Sequence, residues 1–162
     1  GKPLPITVWR RGAMVDVIAK HRGTIDEFIG DAILVLFGAP TVRPDDAARA
    51  VACALEMQLA MTGVNAHFRS LGLPEVEMGI ALNTGGVVAG NIGSENRTKY
   101  GVVGSHANLT SRIESFTVGG QVMISDRTRE AAGPAIVTGR SLQIEAKGFP
   151  ASLVVSPSCK LY

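Results

Sequence analysis

The chain has 162 residues, of which 46% are hydrophobic and 19% charged, enough apolar material for one core in a single domain covering residues 1–162. The formal net charge of +2 is too small for a nucleic-acid-binding surface, so no nucleic-acid partner is expected. The longest apolar run, residues 32–37, is far shorter than a membrane span, and the N-terminus lacks a signal-peptide pattern. Cys53 and Cys159 lack metal-ligand spacing, so we expect a reduced, cytoplasmic setting and structural thiols.

The first elements in chain order are a helix and a hairpin. Apolar residues recur at helical spacing over residues 14–21, and Gly23 predicts the end of that helix. Residues 24–29 and 32–37 have the composition of two strands. The Gly30-Asp31 pair between them predicts a hairpin turn.

A long helix and a half-buried strand follow. Pro44-Asp45-Asp46 predicts the start of a helix whose apolar stripe extends from Ala47 to Phe68. Residues 75–82 alternate between polar and apolar, which is the two-residue period of a strand. Asn83 and the residues after it predict the end of that strand.

The second half of the chain contains short strands and two further helices. Strands are predicted at residues 87–89, 100–103, 121–125, 142–146 and 153–155, and helices at residues 105–116 and 126–132. Because helices alternate with hairpins, we predict an α/β sandwich with a mixed sheet.

Polar side chains at two glycine turns have the chemistry of a nucleotide site. Asn108 and Arg112 are four residues apart where an apolar strand passes into a helical pattern, so an amide and a guanidinium share one helix face. Asp31 places a carboxylate at a turn between two apolar runs. Taken alone, Asn108 and Arg112 are typical of a solvated helix face, and Asp31 is typical of an ordinary hairpin turn. Together they suggest a phosphate clamp and a metal ligand.

Five segments, in this order, resemble the catalytic domain of the class III nucleotidyl cyclases, the adenylate and guanylate cyclase family. The segments are residues 21–32, 37–40, 45–50, 83–94 and 108–114. The resemblance extends over about residues 14–156. It implies a cyclase homology domain with a ferredoxin-like, palm-like mixed sheet and flanking helices, which is an α+β sandwich. It also implies that the full-length protein has regulatory domains. The implied location of this domain is the cytoplasm, either in a cytoplasmic protein or as the cytoplasmic domain of a larger, membrane-associated protein.

The resemblance implies a role for each matching residue. In the family, two aspartates hold two Mg²⁺ or Mn²⁺ ions while the ribose 3′-hydroxyl attacks the α-phosphorus, and Asp31 matches the second aspartate. Asn108 matches the asparagine that orients the ribose. Arg112 matches the arginine that stabilises charge on the transferred phosphate. Lys147 matches a lysine that reaches the triphosphate.

Two positions bear on the choice of base. Glu27 lies where adenylate cyclases usually carry lysine, and Gly101 where they usually carry aspartate or threonine. A carboxylate accepts hydrogen bonds from the N1–H and N2–H₂ groups of guanine, so Glu27 favours GTP over ATP. Gly101 has no side chain and either leaves room for the O6 edge of guanine or offers backbone groups, so it does not oppose this preference. The alternative is an adenylate cyclase with atypical base-selecting residues.

The match to the family breaks near the N-terminus. The family's first metal aspartate lies on an N-terminal strand, and Ile6-Thr7-Val8 begins like such a strand but continues as Trp9-Arg10-Arg11. The first strand and its aspartate are therefore not found near residues 8–14: the given sequence begins after them, it omits a stretch between about Val8 and Met14, or the protein has no first ligand. This absence keeps a second interpretation open, a catalytically silent cyclase-like module for dimerisation or nucleotide sensing.

The family architecture implies a head-to-tail homodimer in which Asp31 of one chain meets Glu27, Asn108, Arg112 and Lys147 of the other. The leading hypothesis is a phosphorus–oxygen lyase of intracellular signalling, which converts GTP or ATP to the 3′,5′-cyclic nucleotide and pyrophosphate at this interface. A diguanylate cyclase is disfavoured because the sequence has no Gly-Gly-Asp/Glu-Glu-Phe signature.

Overall fold

The computed structural model describes residues 6–29, 32–39, 41–85, 88–92, 99–103, 110, 113–115, 117, 119–134, 138–144 and 149–154. In chain order the elements are α1 (Ile6–Lys20), β1 (Thr24–Ile29), β2 (Ala32–Leu36), α2 (Asp46–Ser70), β3 (Ile80–Leu82), β4 (Val88–Ile92), β5 (Lys99–Val103), β6 (Val122–Ser125), α3 (Asp126–Ala132), β7 (Thr138–Ile144) and β8 (Phe149–Val154). Thr110 and residues 113–115 are also helical.

The predicted first helix is longer than expected. It begins at Ile6, so Ile6-Thr7-Val8, which begin like the family strand in sequence, are helical. Met14 and Ile18 are both buried and lie four residues apart, so they stabilise a helix at this point of the chain. A helix that is already nucleated gains one hydrogen bond for each residue added, and three strand-forming residues do not oppose this extension.

The end of α1 turns the chain directly into β1. The N–H of Gly23 donates to the carbonyl oxygen of Ile18 at 3.0 Å, and the N–H of Arg22 donates to that of Ala19 at 3.0 Å. These two bonds form a Schellman motif, and Arg22 occupies its left-handed position with φ of 59°. Gly23 is required for a different reason, because a Cβ there would lie 2.9 Å from Cγ1 of Val35.

The hairpin β1–β2 is confirmed. The strands are antiparallel, and Ile29 pairs with Ala32 beside the turn. The register shifts between Ile25 and Glu27, which is a β-bulge in β1.

Helix α2 begins at Asp46, as predicted, and connects two parts of the core. Its buried residues are Ala50, Val51, Cys53, Ala54, Met57, Met61 and Phe68. One face packs against Met14 and Ile18 of α1. Another packs against Val122 and Ile124 of β6. The helix therefore fixes α1 and the larger sheet relative to each other.

The strands form three sheets within the described residues. The largest has the order β3-β6-β8-β7, in which β3 pairs with β6 in parallel while β8 pairs with β6 and β7 in antiparallel fashion. The hairpins β1–β2 and β4–β5 are two-stranded sheets. The predicted mixed α/β class is confirmed, although β7 and β8 extend beyond their predicted bounds.

Strand β3 is shorter than its alternating sequence predicts. Side-chain amides of α2 occupy the backbone groups that precede it. The Asn65 side chain donates to the carbonyl oxygen of Val76 at 3.0 Å and accepts from its N–H at 2.8 Å. The Gln58 side chain donates to the carbonyl oxygen of Met78 at 2.8 Å. The backbone polar groups are thus satisfied by a helix, and no strand ladder is needed there.

Candidate active site

Glu27 lies in β1 directly after the β-bulge. The pairing passes from Ile25 opposite Val35 to Glu27 opposite Leu34. A bulge bends the strand and changes the direction of the side chains that follow it, and bulges are common next to active sites. The Glu27 side chain is half-buried. The local backbone therefore places a carboxylate at a point where the strand turns away from regular pairing.

Gly101, the second base-selecting position, lies in β5 opposite Gly90 of β4. We call these two residues the two-glycine pair. Strand β5 contacts β1, which carries Glu27. The structure thus brings together, within one chain, the two strands that carry the predicted base-selecting residues.

Arg49 of α2 holds the base of the β1–β2 hairpin, a role that the sequence analysis missed. Its Nη1 atom donates to the carbonyl oxygens of His21 and Arg22, at 2.9 and 3.4 Å, just before β1 begins. Its guanidinium also lies 5.6 Å from the ring centroid of Phe37, the residue after β2. A cation over an aromatic face is attracted by the ring quadrupole. One side chain therefore contacts both chain segments that flank the hairpin.

Two carboxylates hold the Arg49 guanidinium in this position. Asp45 accepts from Nε at 3.1 Å, and Asp46 pairs with Nη2. The hydrogen bond from Arg49 is the main cause that lowers the pKa of Asp45 below its usual value. Asp46 also accepts from the backbone N–H of Arg43 at 2.8 Å. The spacing of the aspartates three and four residues before Arg49 was the visible sequence signal for this arrangement.

A second ion-pair cluster joins α1 to α2. Glu56 of α2 pairs with Lys20 at 2.5 Å and with Nε2 of His21. The hydrogen bonds from Lys20 and then His21 lower the pKa of Glu56 from its usual value. This cluster fixes the end of α1 against α2, next to the carbonyl groups that Arg49 binds.

Asp31, Asn108, Arg112 and Lys147 lie outside the described residues, so their roles stay predictions. In the chain, Asp31 falls between β1 and β2, and Lys147 falls between β7 and β8. Asn108 and Arg112 fall between β5 and the helical residues 113–115.

Cys53 has the environment of a structural thiol. Cys53 is 2% exposed, and burial raises the pKa of its thiol to about 11. The neutral thiol therefore predominates at neutral pH, and such a thiol is a poor nucleophile. Cys159 lies outside the described residues.

The described part of the chain lacks two kinds of feature. It contains no group of three or more His, Cys, Asp or Glu side chains arranged to hold a metal ion. None of its helices has the length and apolar character needed to cross a membrane.

Comparison with known proteins gives consistent matches. The family model described as the adenylate and guanylate cyclase catalytic domain matches residues 12–149. The crystal structure of the guanylyl cyclase Cya2 is 56% identical, with a TM-score of 0.84 over 92% of this chain and 77% of that chain. The crystal structure of the adenylyl cyclase CyaB from P. aeruginosa is 28% identical, with a TM-score of 0.84 over 97% of this chain and 84% of that chain.

Curated relatives extend well beyond the matched region. Adenylate cyclase 1 of Rhizobium meliloti is 34% identical over 101 residues, which are 62% of this chain and 15% of that protein. The chain thus spans less than a fifth of the length of the curated relatives it matches. Because the similar proteins include both adenylyl and guanylyl cyclases, similarity alone does not decide the base.

Proposed function

The chain belongs to the adenylate and guanylate cyclase catalytic-domain family, the class III nucleotidyl cyclases, and we propose that it converts GTP, in preference to ATP, to the 3′,5′-cyclic nucleotide and pyrophosphate. The observation that carries the proposal is the position of Glu27. This half-buried carboxylate follows a β-bulge in a strand that contacts the strand of Gly101. The 56% identity with a guanylyl cyclase supports the same base.

Glu27 selects guanine through hydrogen-bond direction. An ionised carboxylate only accepts, and guanine offers N1–H and N2–H₂ donors on its Watson–Crick edge. Adenine presents an acceptor at N1, so ATP leaves the carboxylate without that pairing. An unmatched buried polar group costs about 1–3 kcal/mol, which corresponds to a preference of about 5- to 150-fold.

The remaining matched residues serve the transfer step. The 3′-hydroxyl oxygen bonds to the α-phosphorus as it loses its proton, and the bond from the α-phosphorus to the bridging oxygen breaks to release pyrophosphate. Asn108 orients the ribose, and Arg112 donates to the phosphate oxygens as charge develops. Lys147 binds the triphosphate as a cation. These roles rest on the family match.

Asp31 is the one metal ligand of the family that the matched residues supply. The family depends on divalent cations, and Mg²⁺ and Mn²⁺ prefer carboxylate oxygens. The family's two-ion site takes two aspartates, of which Asp31 matches one, and the described part of the chain contains no group of three or more His, Cys, Asp or Glu side chains arranged to hold a metal ion. We therefore derive no step through the ions.

The direct test is identification of the product. The complete protein is incubated with Mn²⁺ and either GTP or ATP, and the cyclic nucleotide is identified by mass spectrometry. We expect cGMP to form faster than cAMP. The double substitution of Glu27→Lys and Gly101→Asp should move the preference toward ATP. Exclusive formation of cAMP by the unmodified protein would refute the base preference.

A mixing experiment tests the head-to-tail homodimer. Homodimers of Asp31→Ala and of Arg112→Ala should each be nearly inactive, because both of their sites lose the same group. In a mixed dimer one site inherits both defects and the other inherits neither. Random exchange makes half of the dimers mixed, so roughly a quarter of the wild-type rate should return.

A silent dimerisation or nucleotide-sensing module is the second candidate, and it is motivated by the first metal aspartate of the family, which no residue near residues 8–14 matches. The mixing experiment separates the two candidates. Absence of recovery despite demonstrated subunit exchange contradicts the shared site, and absence of product from GTP and ATP supports the silent module.

A further inference from the structure

The two-glycine pair is unusual within a regular ladder. Strands β4 and β5 pair without a register shift through five consecutive positions, from Val88 opposite Val103 to Ile92 opposite Lys99. Gly90 and Gly101 form the central pair. A glycine in a strand interior destabilises the strand relative to alanine, so the pair weakens the ladder. The presence of two paired glycines at the centre of this ladder therefore calls for a structural or functional explanation.

Glycine within a strand usually marks a bulge, a sharp bend, or a place where a ligand or another backbone approaches closely. The continuous register of the five pairs excludes a bulge at Gly90. The pair also lies at the centre of the ladder, away from the ends where a strand turns. Close approach of another group is the remaining explanation.

The location of the pair indicates which group approaches. Residues directly opposite each other in an antiparallel ladder lie on the same face, with Cβ positions about 5 Å apart. Gly90 and Gly101 therefore clear one continuous patch of that face. Strand β5, which carries half of this patch, contacts the strand of Glu27.

We propose that Gly90 is a further specificity-determining residue, which together with Gly101 forms a side-chain-free surface for the purine ring of the nucleotide. Glu27 reads the edge of the base, while the bare backbone of the two-glycine pair lets the flat face of the ring approach to van der Waals distance. A side chain at position 90 would occupy the space of the ring. The inference rests on the proposed function, since it takes Gly101 as a base-selecting position.

The variant Gly90→Val tests this role, and Ala89→Val is its matched control. Position 89 is the neighbour of Gly90 in the same strand and lies on the opposite face, where it pairs with Val102. The two variants place the same side chain in the same ladder on different faces. Binding of the fluorescent analogues mant-GTP and mant-UTP is measured by titration of the complete protein, and stability is measured by thermal unfolding.

We expect Gly90→Val to weaken mant-GTP binding by about tenfold or more, equivalent to about 1.4 kcal/mol. Binding of mant-UTP, whose base is smaller, should change less. The melting temperature of Gly90→Val should stay the same or rise, because valine favours strands more than glycine does. Ala89→Val should leave the affinity for mant-GTP within about twofold of wild type. Loss of affinity without loss of stability is the result that a merely structural glycine would not give.

Two outcomes overturn the inference. One is unchanged mant-GTP affinity in Gly90→Val. The other is a lowered melting temperature in Gly90→Val together with equal losses for both analogues, which would assign the glycine to the packing of β4 against β5. If the valine variant does not fold, Gly90→Ala provides the same comparison with a smaller side chain. Failure of the wild type to bind mant-GTP would instead refute the proposed function itself.

Discussion

Replacing Arg49 with methionine is expected to lower the free energy of unfolding by about 2–4 kcal/mol. Methionine keeps the apolar length of the side chain but has no donor, so the carbonyl oxygens of His21 and Arg22 lose their bonds at 2.9 and 3.4 Å. Hydrogen bonds to charged groups contribute about 1.5–3 kcal/mol each, and the longer bond contributes less. The Arg49 side chain is only 16% exposed, so water does not fully replace these bonds.

The same helix provides a matched control in Arg69. This residue pairs with Glu75 at 3.1 Å, and the two side chains are 62% and 54% exposed. Exposed ion pairs contribute less than about 1 kcal/mol, so Arg69→Met should cost less than Arg49→Met. Arg49→Lys should fall between them, because an ammonium keeps the charge but cannot donate along several directions at once.

Urea denaturation followed by circular dichroism measures all three variants. Equal destabilisation by Arg49→Met and Arg69→Met would refute the reasoning, because the buried contacts of Arg49 would then contribute no more than a surface pair. A change in the slope of unfolding free energy against urea would point to an altered unfolded state instead. A wild-type slope with a lowered midpoint is the expected result.

Four further results are expected. Because the pKa of Glu56 is lower in the folded protein than its usual value of 4.5, the ionised carboxylate stabilises the fold at pH values above 4.5, and this stabilisation is lost as the pH falls through the folded pKa. The variant Glu56→Gln should therefore lose less of its unfolding free energy than wild type as the pH is lowered, as measured by urea denaturation. Cys53 should resist iodoacetamide at pH 8 until the protein unfolds, as measured by peptide mass spectrometry. Arg22→Gly should raise stability by about 1 kcal/mol, whereas Gly23→Ala should lower it, both in thermal unfolding. Amide hydrogens of β2 should exchange faster than those of the buried β6, and the reverse order would refute the burial contrast.

Long periodic patterns of apolar residues predict their secondary-structure elements most accurately. The apolar stripe of α2 repeats over about six turns, so its register is over-determined, and the hairpin has both its strands and its turn residues as signals. Strand β3 was predicted too long because alternation does not reveal which groups bond the backbone. Asn65 and Gln58 lie 11 and 20 residues from the carbonyl groups they bind, and this pairing exists only after α2 packs.

In the candidate site, too, local sequence predicts individual elements, whereas contacts between residues far apart in the chain do not follow from it. The strand of Glu27 follows from local composition, but its bulge depends on the alignment with β2. The aspartates beside Arg49 are visible in the sequence, whereas its bond to the carbonyl oxygen of His21 joins residues 28 apart. The two-glycine pair likewise becomes visible only when the register of β4 and β5 is known.

The half-buried state of β2 follows from the arrangement of the sheets around α2. A run of apolar residues in β2 is typical of a strand with neighbours on both sides, yet the structure leaves Ala32 exposed and the rest half-buried. Strands β2 and β3 flank α2 without pairing with each other, and a cleft of about 190 Å³ lies between them, lined from both. A split β-α-β unit of this kind has room for one intervening strand. Because β2 pairs with β1 alone in the described part of the chain, the side of β2 that faces this cleft is covered by no strand there, which accounts for its incomplete burial.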